Sequence, residues 1–102
     1  MRITVLEEDI NKAIEQVMAA LKTAMDKHGM GAFASPCEAL GVLTEEYHEV
    51  IIAVRENDAT NFKEELSDMS ASCIFAIASK NAFNRIKRAE SGPTGIDPEE
   101  NV

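Results

Sequence analysis

The stretch Met69-Ser70-Ala71-Ser72-Cys73-Ile74-Phe75-Ala76-Ile77-Ala78-Ser79 carries no charge and no polar side chain larger than serine. Wound as a helix, it is apolar in nearly every direction, and such a helix must be covered on every side. With 102 residues the chain is one domain. Two further helices of that domain cannot wrap a third completely. The side carrying Ile74 and Phe75 is therefore expected to form a larger apolar patch than a soluble monomer tolerates. The segment calls for an all-α, antiparallel bundle of three main helices completed by oligomerisation. A homodimer with two-fold symmetry is the minimum, and a homotetramer of two dimers is the next closed form.

The rest of the chain supplies those helices. Ile10, Ala13, Ile14, Val17, Met18, Leu21, Ala24 and Met25 recur at three- and four-residue steps, which predicts helix one from about Glu7 to His28. Gly29 and Gly31 end it. Ser35-Pro36-Cys37-Glu38 then places a serine cap, a proline at the first helical position and a glutamate three residues after the cap. Helix two is expected to run from there to about Asn57. A turn follows at Asn57-Asp58-Ala59-Thr60. Helix three is expected from about Asn61 to Phe83, or on to Arg88. No segment reads as a strand. Two glycines and two prolines between Ser91 and Pro98 mark residues 90–102 as a flexible tail behind a helical domain at 1–89.

Charge and cysteine usage narrow the function. Eighteen acidic against ten basic residues give a formal net charge of -8, which argues against a nucleic-acid partner. Residues 1–9 hold no long apolar run before the first acids, so no signal peptide is expected. No run of apolar residues is long enough for a membrane span. Cys37 and Cys73 stand alone without CxxC spacing and read as reduced, buried small hydrophobes of a cytoplasmic protein.

Four carboxylates stand out from the rest. Nine of the eighteen acids lie between Glu38 and Asp68. Glu45, Glu56 and Glu64 fall on faces assigned to solvent. On helix two, however, Glu46 falls inside the apolar stripe of Ala39, Leu40, Val42, Leu43, Tyr47, Val50, Ile51, Ala53 and Val54, and Glu49 lies at its edge. On helix three Glu65 lies within or beside the stripe of Phe62, Leu66, Met69, Cys73, Ala76 and Ile77, with Asp68 at its edge. A short turn makes the two helices antiparallel. With the turn centred near Asn57, Glu46 is level with Asp68 and Glu49 with Glu65. Four anions so placed repel one another unless cations sit among them. Oxygen-only donors suit a hard divalent ion, Mg²⁺ first, with Mn²⁺ as a second candidate, and do not suit structural zinc.

These residues form an ExxE…ExxD pattern, Glu46-Tyr47-His48-Glu49 and Glu65-Leu66-Ser67-Asp68, with 15 residues between the halves. In this the chain resembles the MazG-like all-α nucleoside triphosphate pyrophosphohydrolases. Glu38-Ala39-Leu40-Gly41-Val42-Leu43-Thr44-Glu45-Glu46 and Lys27-His28-Gly29 are similar to runs in phage and prophage members. The resemblance implies a Mg²⁺-dependent cleavage between the α- and β-phosphates of a (deoxy)nucleoside triphosphate, giving monophosphate and pyrophosphate. Glu46, Glu49, Glu65 and Asp68 would hold the metal, and Glu46 or Glu49 would accept the proton of the attacking water. Family members often carry a further helix with Lys, Asn and Arg against the phosphates. Gly95-Ile96-Asp97-Pro98-Glu99-Glu100 reads as the start of one. The nearest substitute is the basic stretch at 80–88, where Lys80, Asn84, Arg85 and Arg88 are the candidate substrate contacts. Lys80 lies about 18 Å along the helix from Asp68, too far for a site within one helix. Contact would come across a subunit interface, the alternative being charge that complements the helix C-terminus. His28 reads as a packed or capping residue.

Two rival readings remain. A di-iron carboxylate bundle needs two Glu-x-x-His motifs, and only Glu45 with His48 supplies one. A non-enzymatic helical interaction module, or a family member without activity, would use the same helices for binding alone.

Overall fold

The computed structural model describes residues 1–91, and these form three helices: α1 (Glu7–His28), α2 (Pro36–Arg55) and α3 (Ala59–Ser91). Among the described residues there is no strand, and none of the helices is long and apolar enough to cross a membrane. The fold is all-α.

Local chemistry sets each boundary. The Asp9 carboxylate turns back to accept the Leu6 N–H at 2.9 Å, which satisfies a free donor before the first turn of α1. The helix ends at Gly29, whose φ of +84° suits glycine, while its N–H donates to the Met25 carbonyl at 2.8 Å. Ser35 Oγ accepts the Glu38 N–H at 3.2 Å, with Pro36 at the first helical position of α2. Asn57 adopts φ +54°, a left-handed conformation that asparagine tolerates, and so reverses the chain. Asp58 Oδ1 then accepts the Asn61 N–H at 3.0 Å and caps α3. This cap starts α3 two residues earlier than the turn residues suggested, and α2 ends at Arg55 rather than at Asn57. At its far end α3 runs through Glu90 to Ser91, past the boundary expected at 89. The remainder of the expected tail, including residues 95–100, lies outside the described residues.

Helix α3 is the shared partner, with α1 and α2 both packed against it. The interior is small. Among the described residues Leu21, Val50, Ala53 and Ala71 are the buried apolar side chains, and no large side chain is fully buried. Much of what reads as core from periodicity is exposed. On α2, Val50 and Ala53 face inward, but Cys37, expected to be buried, is exposed at the first turn, and Leu40, Tyr47 and Val54 remain 64, 54 and 60% exposed. On α3, Ile77 is 64% exposed. On α1, Ile10, Ile14 and Met18 are exposed while Leu21 is buried. Each apolar stripe is wider than the contact its neighbour makes with it. Leu40, Tyr47 and Val54 recur every seven residues and so share a single face of α2.

Phe75 departs from expectation. It does not point into solvent beside Ile74. The loop between α1 and α2 folds over it, and the Phe33 ring meets it edge to face at 5.2 Å between centroids.

Candidate functional site

The antiparallel packing of α2 on α3 brings carboxylates together. Glu46, Glu65 and Asp68 each offer one oxygen, and these oxygens lie within 4.8 Å of one another. Glu46 and Glu65 are half-buried, while Asp68 is exposed. Glu49 is exposed and stands outside that group. It is still close enough for its charge to raise the pKa of both Glu46 and Glu65.

The electrostatics are those of an uncompensated acidic cluster. Burial pushes the Glu46 carboxyl above its ordinary value, and the charges of Asp68, Glu65, Glu49 and Glu45 push it further. Glu65 is raised for the same reasons, burial first, then Asp68, Glu49 and Glu64. Like charges this close favour either shared protons or a bound cation. A cluster whose donors are all carboxylate oxygens fits a hard divalent ion.

The cluster opens on a cleft of about 580 Å³ between the C-terminal half of α1, the loop that follows it, α2 and α3. Glu46 and Asp68 lie in its wall together with Glu45. Leu21, Ala71, Phe33 and Phe75 form much of the apolar lining. Lys27 is its cationic contributor, with His28 beside it, both exposed at the end of α1. This size and mixture of an apolar wall with a few convergent polar groups are typical of a small-molecule site.

Periodicity did not reveal this cleft. In the sequence Lys27 stands out only as part of the run Lys27-His28-Gly29, and His28 reads as a packed or capping residue. Gly29 stops α1 so that both side chains border the cleft instead of the interior. Phe33 gives no periodic signal, because it lies in a loop, but as aromatics Phe33 and Tyr47 are the two that could stack on a base, and of these Phe33 lines the cleft.

The basic stretch lies elsewhere. Lys80, Asn84, Arg85 and Arg88 follow on α3 beyond the buried Ser79, and none of them lines this cleft. Asn84 Oδ1 is shielded from solvent and has no hydrogen-bond partner among the described residues. Glu45 and His48, the one Glu-x-x-His pair, are both exposed. The three carboxylates close enough to hold a metal ion are Glu46, Glu65 and Asp68 instead.

The sequence pattern of the MazG nucleotide pyrophosphohydrolase domain family matches residues 35–90, more than half of the chain. The match covers α2, the turn and nearly all of α3, the elements that bring Glu46, Glu65 and Asp68 together. No curated protein and no solved structure matches the chain.

Proposed function

The chain belongs to the MazG nucleotide pyrophosphohydrolase family, and on that premise we propose that it hydrolyses a (deoxy)nucleoside triphosphate to the monophosphate and pyrophosphate with Mg²⁺. The observation that carries this reading is the convergence of three carboxylate oxygens within 4.8 Å, with two of the three residues, Glu46 and Asp68, lining a ligand-sized cleft. Glu46, Glu65 and Asp68 would hold the ion, with Glu49 as a fourth carboxylate beside them. Mg²⁺ bound there supplies charge neutralisation for the phosphates and acidifies water; Mn²⁺ has the same donor preference and is a second candidate.

The chain's own side chains divide the remaining work. Glu49 stands outside the tight group and so keeps free oxygens, which makes it the stronger candidate for taking the proton of the attacking water; Glu46 is the other. Lys27 and His28 border the same cleft; Lys27 supplies positive charge towards the phosphates and His28 a ring nitrogen for hydrogen bonding. The apolar wall holds the nucleoside and keeps bulk water from the reacting centre.

The exposed face of α2 and α3 belongs, in this reading, to a homodimer or homotetramer. Leu40, Tyr47, Val54 and Ile77 would be its contacts, in place of Phe75. Lys80, Arg85 and Arg88 would then reach a partner's cleft, while Asn84, whose Oδ1 is shielded within its own chain, would not. We assign the activity to the cytoplasm, in keeping with the free thiols of Cys37 and Cys73; no nucleic acid or membrane enters the reaction.

The deciding experiment offers a panel of ribo- and deoxyribonucleoside triphosphates with Mg²⁺ and identifies the products. Monophosphate and pyrophosphate support the reading. Diphosphate and phosphate would refute the bond assignment, and no turnover with any of them would favour a non-enzymatic module.

A further inference from the structure

The loop at residues 29–35 is fixed to α3 at one well-defined point. The Phe33 N–H donates to Ser79 Oγ at 3.0 Å, across 46 positions of sequence. The Ser79 hydroxyl in turn donates to the Phe75 carbonyl at 2.8 Å. Ser79 is the one buried polar residue among those described, at 5% exposure. A buried hydroxyl that serves as acceptor for one segment and donor to another fixes both. Its effect is to set the Phe33 ring against Phe75, with both rings in the wall of the cleft.

The register of α3 relates this corner to the acids. Asp68, Ala71, Ser72 and Phe75 all line the cleft and so share one face of the helix. Seven residues separate Phe75 from Asp68, or about 10 Å of helix axis. The cleft therefore has a carboxylate end and an aromatic end on one wall. A ligand with its phosphates at the carboxylates would extend its far, planar portion towards the two rings.

We propose that Phe33, held in place by Ser79, is the surface on which the nucleobase stacks, and that the loop at 29–35 thereby determines which bases the cleft accepts. This rests on the nucleotide reading given above. Phe33 is a binding residue here and Ser79 a positioning residue that acts through it. Neither takes part in the chemistry at the phosphates. Stacking on an aromatic ring tolerates any base, so Phe33 supplies affinity, and the shape of the loop around it supplies preference.

The test is direct binding to the full-length protein with Mg²⁺ present. The probes are the α,β-methylene analogues of ATP, GTP, CTP and UTP, with imidodiphosphate as the probe that lacks a base. Phe33→Ala is expected to weaken the best-bound nucleotide analogue by roughly five- to a hundredfold, the range of a lost base–aromatic stack. Phe33→Leu keeps the apolar packing on Phe75 and should weaken binding in the same direction, which guards against misfolding of the alanine variant. Ser79→Ala should raise KM for the hydrolysed triphosphate with little change in kcat. Imidodiphosphate should bind all three variants as it binds the wild type. Unchanged nucleotide binding by both Phe33 variants would overturn the inference while leaving the pyrophosphohydrolase reading intact. Equal loss of imidodiphosphate would overturn it too, because Phe33 would then be supporting the carboxylate end. A wild-type protein that binds none of the probes would defeat the nucleotide reading and this inference with it.

Discussion

Glu46 on α2 and Asp68 on α3 lie close enough to share a cation, and Asp68 is the charge that most raises the Glu46 carboxyl. The sign of the resulting pH dependence follows. Glu46 and Glu65 titrate in the folded protein above their ordinary 4.5, so between that value and the raised ones the native state holds more protons than the unfolded state. Stability of the metal-free protein should therefore fall as pH rises through that window. Millimolar Mg²⁺ should raise the melting temperature and flatten or reverse the slope, since the ion favours the ionised carboxylates. Denaturant melts between pH 5 and 7.5, in EDTA and in Mg²⁺, check both; superimposable curves would remove the metal from this site.

The four carboxylates should separate by role. Asp68→Asn deletes a member of the tight oxygen group, so it should abolish turnover and shift the Mg²⁺ requirement upward. Glu49→Gln leaves that group intact and should instead lower kcat by roughly a hundred- to ten-thousandfold, the usual weight of a general base, with a smaller change in Mg²⁺ dependence. Helical content should stay near that of the wild type in both. Initial rates across a Mg²⁺ titration distinguish the two patterns. Wild-type rates for either variant at saturating metal would refute its role.

The exposed apolar positions predict assembly. Tyr47, Val54 and Ile77 expose more than half of their surface, and burying them against a second copy would stabilise the interface by about 25 cal/mol per Å² removed from water. Sedimentation at micromolar concentration should show a dimer or larger. Ile77→Glu should shift it towards monomer. Phe75→Glu should leave assembly largely intact and damage the cleft instead, because Phe75 is packed on Phe33. A wild-type monomer would exclude the interface.

Much of this architecture could be read in the residues, for specific reasons. Ser35-Pro36 and Gly29 act locally, so their helix boundaries follow from sequence alone. The Glu46/Asp68 register depends only on helix geometry and a short turn, and periodicity suffices for it. Asp58 reads as a turn residue, because its cap becomes visible only once its side chain is seen accepting the Asn61 N–H. The broad stripes hid a different ambiguity. Periodicity marks Val50 and Tyr47 alike as apolar, but only the packing of α3 shows that Val50 is buried and Tyr47 is not. The Phe33–Ser79 bond joins residues 46 apart through a loop, and no local pattern encodes such a contact.

The source of the positive charge opposite the phosphates gives the last prediction. Lys27 borders the cleft within its own chain, so Lys27→Ala should raise KM by about fivefold, the worth of roughly 1 kcal/mol for one partly exposed charged contact. Arg85 and Arg88 lie beyond Ser79 on α3, and neither lines that cleft, so they can act only from a partner. Mixing tests this. An Asp68→Asn chain has lost one of its clustered carboxylates but keeps its arginines. An Arg85→Ala/Arg88→Ala chain has the opposite defect. If each site draws carboxylates from one protomer and arginines from the other, random dimers of the two chains restore one complete site in every mixed pair, about a quarter of all sites. The mixture should then exceed the activity of either parent, after unfolding and refolding together to exchange protomers. Activity no higher than the mean of the parents would confine the site to one chain and leave Lys27 as its cation.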